Sequence, residues 1–145
     1  MRRQLPLSVA LPLLLLMLVP AAGCKAGPPQ LPEVATAGLR VLVVRSKNGS
    51  KSLDVTVRVW NDHDQRITFD LGDVRLRGKD GTEMSPNPGR TKPEVQAKNS
   101  ADFRWLFNYQ GKPALAPGTY DMEIKVIMVG DVQLDVPAQF QVVVG

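Results

Sequence analysis

Chemistry that needs a proton acceptor near neutrality has one place to go in this chain. His63 is the only histidine among 145 residues. It stands between Asp62 and Asp64, with Asp70 and Asp73 close behind. A histidine beside a carboxylate is the orienting half of a nucleophilic triad, but no G-x-S-x-G elbow supplies the other half. The same acidic group offers oxygens to a calcium ion, although the EF-hand spacing is absent and Arg66 falls inside the group. His63 with Met84, Met122 or Met128 is the donor set copper would take. Met122 and Met128 sit on the parity of their segment that reads as buried, so packing is the stronger expectation for them. The single cysteine excludes an internal disulfide and any multi-cysteine metal or iron–sulfur site. The chain therefore reads as non-catalytic, with no cofactor and no assigned metal site. A metal carrier using His63, with Asp62 and Asp64 beside it, is the alternative this cluster leaves open.

The cysteine is informative through its position. Arg2 and Arg3 precede an apolar stretch from Leu5 to Val19, and no further charge appears until Lys25. Small residues follow at Ala21, Ala22 and Gly23. A positive start, an apolar middle and a small-residue end describe a secretory signal over residues 1–23. The unbroken run Leu13–Val19 is well short of the roughly 20 residues that span a bilayer as a helix. Ala21-Ala22-Gly23-Cys24 resembles the lipobox of bacterial lipoproteins, with alanine where leucine is usual. The resemblance implies that the Cys24 thiol is acylated, that cleavage leaves Cys24 at the new N-terminus, and that several acyl chains hold the protein on a membrane. Lys25, where an aspartate would favour inner-membrane retention, implies the outer membrane if the source is Gram-negative.

The elements that would position any site are strands. Residues 24–38 are rich in Pro, Ala and Gly, lack apolar periodicity, and read as an extended tether. Leu39 to Ser46 is apolar on both parities, as in a strand buried on both faces. Asn48-Gly49 is a hairpin signal. Leu53, Val55, Val57 and Val59 share one face, with Asp54, Thr56 and Arg58 on the other. Ile67 and Phe69 begin a strand, and Val74 and Leu76 alternate with Arg75 and Arg77. Residues 85–93, with three prolines and a glycine, read as a loop. Phe103, Trp105, Phe107 and Tyr109 fall on one parity and predict the strand that anchors the core. Tyr120, Met122, Ile124, Val126 and Met128 alternate with charged residues, and Phe140, Val142 and Val144 close the chain. The expectation is an all-β domain over 39–145: an immunoglobulin-like antiparallel β-sandwich of seven or eight strands, with an open Greek-key barrel as the other arrangement.

Two family likenesses overlie that reading. The run from Leu53 to Gly81, with Val59-Trp60-Asn61, Ile67-Thr68-Phe69 and Asp80-Gly81, resembles the immunoglobulin-like domain of small bacterial extracellular antigens and lipoproteins. Phe103-Arg104-Trp105 with Pro117-Gly118-Thr119-Tyr120 resembles the sandwich of the Bacillus-type intracellular proteinase inhibitor family. The second implies a tyrosine at the start of a strand, its hydroxyl bonded to nearby backbone. It also makes a protease inhibitor, acting through loop 85–93, an alternative function.

Charge adds little. Two of the 18 basic residues leave with the leader, and 14 acidic residues face the remainder. Arg75, Arg77 and Lys79 share a parity and predict a small basic stripe, while Trp60 sits on the outward parity of its strand; these four are the candidate interaction surface. A glycan, an anionic lipid or a protein would suit such a surface, and no nucleic-acid motif is present. The function expected is a non-catalytic binding or scaffolding module held in the cell envelope by a lipid anchor.

Overall fold

The computed structural model describes residues 27–89 and 92–145. Residues 1–26, which include the expected signal segment and Cys24, lie outside the described residues, as do Arg90 and Thr91. In chain order the strands are β1 (Val34–Thr36), β2 (Leu39–Asn48), β3 (Ser52–Asn61), β4 (Ile67–Thr68), β5 (Val74–Arg77), β6 (Glu83–Met84), β7 (Glu94–Val95), β8 (Ser100–Asn108), β9 (Gly118–Ile124), β10 (Met128–Val129), β11 (Val132–Gln133) and β12 (Ala138–Val144). One sheet runs β1-β2-β3-β8 and the facing sheet β12-β9-β5-β6; every pairing is antiparallel. A small third sheet, β11-β10-β4-β7, is built of two-residue strands. The fold is the expected all-β sandwich in immunoglobulin-like order, and these short strands account for a count above seven or eight.

The inner faces follow the alternation. Leu53, Val55, Val57 and Val59 are fully buried, as are Val74, Leu76, Ile124 and Val142. Trp105 is the hub: Phe69 meets it edge-on at 6.2 Å, Phe103 stacks on it at 6.4 Å, and Phe140 reaches it from the facing sheet at 6.3 Å. Each such ring contributes about 1.5–3 kcal/mol by leaving water. The Tyr120 hydroxyl, at the start of β9, donates to the Ala116 carbonyl at 2.7 Å. This is the tyrosine corner of immunoglobulin-like sandwiches, and it matches the expectation for Pro-Gly-x-Tyr.

Three local readings are corrected. β2 is not buried on both faces. Leu39, Val41 and Val43 point inward, then the register shifts between Val43 and Arg45, leaving Val44 exposed. The β-bulge inserts one residue, so the next inward side chain is Ser46, while Leu42 and Val44 stay on the outer face. β9 stops at Ile124, and Ile127, on the other parity, is the buried residue beyond it. Most consequential, residues 27–38 are a folded strap. β1 adds to β2 through Val34↔Val41, Ala35↔Arg40 and Thr36↔Leu39. The turn between them, Ala37-Gly38, has φ of 53° and 70°, a two-residue turn for which glycine suits the second position. The folded unit, with its whole core, therefore runs from Gly27 to Gly145.

Candidate functional site

The strap closes a seam between the two sheets. On one side it pairs with β2; on the other it is fastened to β12. Gln30 lends its amide to Val143 in both directions, Nε2 to the carbonyl at 2.8 Å and Oε1 from the N–H at 2.9 Å. The buried Ser46 hydroxyl also donates to the Val143 carbonyl, and the Gln139 N–H donates to Thr36 Oγ1 at 3.0 Å. Between these fastenings a groove of about 620 Å³ opens. Leu31 and Val34 of the strap form one wall, Val43 and Phe140 lie at its apolar base, and Arg77 and Asp121 stand among its polar residues. Leu31 and Val34 are among the few large apolar side chains left exposed. An apolar base with charged groups around it suits an amphipathic ligand or an extended side chain of a partner.

The residues read from the sequence as an interaction surface do not come together. Trp60 does lie on the outer face of the β1-β2-β3-β8 sheet, half-buried. The guanidinium carbons of Arg40 and Arg58 are 5.1 and 5.9 Å from its ring centre. Arg40 is held by Asp62 at 3.0 Å and Arg58 by Asp102 at 2.6 and 2.8 Å, so the indole is roofed by fixed cations. Arg75 and Arg77 are on the outer face of the other sheet, each paired with a carboxylate rather than forming an open basic stripe. Glu83 receives Lys125 at 3.0 Å and Arg77 at 3.4 Å, with Arg75 at 3.6 Å. The Lys125 ammonium, together with Arg77, holds the Glu83 carboxyl below its ordinary range. Lys79 is not in that strand at all: β5 ends at Arg77, and the Lys79 ammonium stands 5.4 Å over the Tyr120 ring. Period-two counting fails where the strand ends in a turn.

The candidate metal residues diverge as well. His63 Nε2 bonds the Ala37 carbonyl at 3.1 Å, and its backbone N–H donates to Asn61 Oδ1 at 2.9 Å. The ring lies against Gly38, where a Cβ would collide with it. Asp62 pairs with Arg40, Asp64 with Lys98 at 3.2 Å, and Asp70 with Lys92 at 3.1 Å. Among the described residues no three His, Cys, Asp or Glu side chains converge as a metal site would require. His63 clasps the β1–β2 turn instead. Loop 85–93 is not free-standing where it is described. Pro86 and Pro93 are buried, and the Asn87 N–H donates to the Leu106 carbonyl of β8 at 2.8 Å.

Sequence reasoning missed the strap. Gln30 sits in Pro28-Pro29-Gln30-Leu31-Pro32, a segment with no periodicity, and its side-chain hydrogen bonds to β12 and to Ser46 of β2 give it a structural role.

No protein-family model matches the chain, and no curated protein sequence matches it. Solved structures resemble the chain to different degrees. A candidate lipoprotein, ycdA of Bacillus subtilis, superposes with a TM-score of 0.56 at 16% identity, over 75% of this chain. That match covers 37% of ycdA, so this chain corresponds to little more than a third of that protein's length. The yjhA protein of Bacillus subtilis superposes with a TM-score of 0.49 at 10% identity, over 65% of this chain and 77% of its own. The ycdA superposition shows a shared fold.

Proposed function

We propose that this protein is a cell-envelope lipoprotein, anchored through Cys24, whose sandwich is a non-catalytic binding or scaffolding module. The observation that carries the binding role is the groove beside the strap, an open apolar surface in a fold whose single histidine is engaged in a turn. The anchor rests on the leader and Cys24, and the likeness to part of a candidate lipoprotein supports it. The partner is a protein or glycan of the envelope, and the site is the outer membrane in a Gram-negative cell.

Intact mass and membrane fractionation test the anchor. Wild type is expected to be cut before Cys24, to carry acyl mass and to float with membranes, while Cys24→Ala does not. A soluble, unacylated wild type removes the anchor. The groove is tested with anilinonaphthalene sulfonate, an apolar anion. Folded protein is expected to bind it saturably and Val34→Glu to weaken binding; unchanged binding in that variant discards the groove as the site.

A further inference from the structure

The basic side chains of the sandwich divide by their partners. Among the described residues, Arg40, Arg58, Arg66, Arg75, Arg77, Lys92, Lys98, Arg104 and Lys125 each hold an acidic partner within ion-pair distance. Arg45, Lys47, Lys51, Lys79 and Lys112 hold none, and all five are exposed. Four of these lie at one end of the molecule, and Arg45 stands on the sheet face beside them. Arg45, opposite Thr56, and Lys47, opposite Asp54, are in the second half of β2, and Lys51 is in the hairpin that follows. The Tyr109 N–H donates to the Lys51 carbonyl, and the Lys112 N–H to the Tyr109 carbonyl, each at 2.9 Å. Asn48 Nδ2 donates to the Leu115 carbonyl at 2.8 Å, which ties the 109–117 loop to the same hairpin. Lys79 stands over Tyr120, whose hydroxyl binds Ala116 of that loop.

Two carboxylates offset them in part: Asp54 lies close to Arg45 and Lys47, and Asp80 close to Lys112. Asp54 is taken by Arg104, and Asp80 accepts from the hydroxyl and N–H of Thr82 at 2.7 and 3.1 Å. The opposite end carries Asp62, Asp64, Asp131 and Asp135 in its turns. Against Asp54 and Asp80, the cations outside any ion pair leave an excess of positive charge at the Lys51 end.

The strap starts at that same end. Gly27 lies against the Ser46 carbonyl, and Pro28 against Gly145. Only Lys25 and Ala26 separate Gly27 from Cys24. Three residue steps reach at most about 10 Å, close to the ~8 Å Debye length at physiological salt. We propose that this basic end is a membrane-facing surface that rests on anionic phospholipid headgroups. The choice of a lipid surface rests on the Cys24 anchor reading, because the anchor would hold this end within electrostatic reach of the bilayer. The attraction itself does not need the anchor, so the two are separable.

Residues 25–145, which contain the whole folded unit, are floated with phosphatidylcholine vesicles holding about 30% phosphatidylglycerol. Binding is expected at low salt, and it is lost in pure phosphatidylcholine and at high salt. The Lys47→Glu/Lys51→Glu/Lys112→Glu variant is expected to bind at least tenfold more weakly, since each basic group near an anionic surface contributes about fivefold. Arg66→Glu/Lys98→Glu, at the opposite end, is expected to bind as wild type. Circular dichroism and melting of each variant confirm folding. Equal binding by all three proteins, or no binding at low salt, overturns the proposal, as does binding to soluble heparin but not to vesicles, which would assign the end to a polyanionic glycan. An acylated full chain whose 25–145 fragment ignores vesicles keeps the anchor and discards the docking surface. An unacylated chain whose fragment binds does the reverse.

Discussion

Gln30 pairs with Val143 across 113 residues of sequence as one strand residue pairs with another. Its side-chain amide supplies both the donor and the acceptor, at 2.8 and 2.9 Å. The pair stands in for backbone pairing that the proline-rich strap cannot itself make. Gln30→Ala is expected to lower stability by about 1–2 kcal/mol. Hydrogen exchange is expected to rise at the Thr36–Val41 turn and at Val143 before it rises in β3. Uniform exchange across all strands would show the strap to be inseparable from the core.

Asn61 carries a second set of buried polar contacts. Its Nδ2 donates to the Gln65, Val95 and Gln96 carbonyls at 2.8, 3.1 and 3.2 Å, and its Oδ1 accepts from His63. The residue is fully buried, so deleting the amide strands several carbonyls away from water. Asn61→Ala is expected to cost about 3 kcal/mol by denaturant titration. Asn61→Asp, which keeps the acceptor and loses the donors, is expected to cost at least as much near neutral pH.

Tyr120→Phe keeps the ring and removes the hydroxyl bond to Ala116. The expected loss is about 1 kcal/mol. A larger loss in equilibrium unfolding would mean that the corner also orders the 109–117 loop.

His63 is predicted to matter for stability and not for metal content. His63→Ala removes the contact with the Ala37 carbonyl and uncovers Gly38, at an expected cost of about 1 kcal/mol. Metal content of purified protein, read by mass spectrometry, is expected to be the same in wild type and variant. A metal that disappears with the ring would restore the carrier reading.

Acid should weaken the fold through carboxylates held by arginines. The Arg104 guanidinium holds Asp54 below the usual aspartate range, and Arg58 does the same for Asp102. A carboxyl depressed in the folded state contributes stability that is present above its unfolded pKa. That contribution is lost as pH falls through the ordinary carboxylate range toward the folded value. Denaturation midpoints are expected to fall from neutrality to acid, with a shallower slope in Arg58→Gln/Arg104→Gln. Because Asp102 is half exposed, salt should shrink its share more than that of Asp54, whose side chain is 13% exposed.

How far the sequence could be read depended on whether the information was local. The alternation of β3 and the aromatic parity of β8 are set by nearest neighbours and appear in the structure as expected. The tyrosine corner was legible too, because a Pro-Gly turn fixes where the strand begins. The β2 bulge was not legible: Leu42 and Val44 read as a second buried face, and nothing marked a register shift after Val43. The strap was hard to read because its proline-rich part is fastened by partners more than a hundred residues away, although β1 itself pairs with the adjacent β2. The basic end was invisible for a related reason: Lys51, Lys79 and Lys112 are scattered in sequence and are gathered by three connections, β2–β3, β5–β6 and β8–β9.

The Gln30–Val143 fastening also sets a schedule for folding. A chain that leaves a ribosome or a membrane pore N-terminus first delivers the strap early and β12 last. The seam cannot close until the final strand has arrived, and long-range pairing of this kind slows folding. Until then β2 presents an uncovered inner face of Leu39, Val41 and Val43. The interval before closure is when a nascent chain of this design is most exposed to aggregation, and a chaperone that holds unpaired strands would be of use to it only in that window.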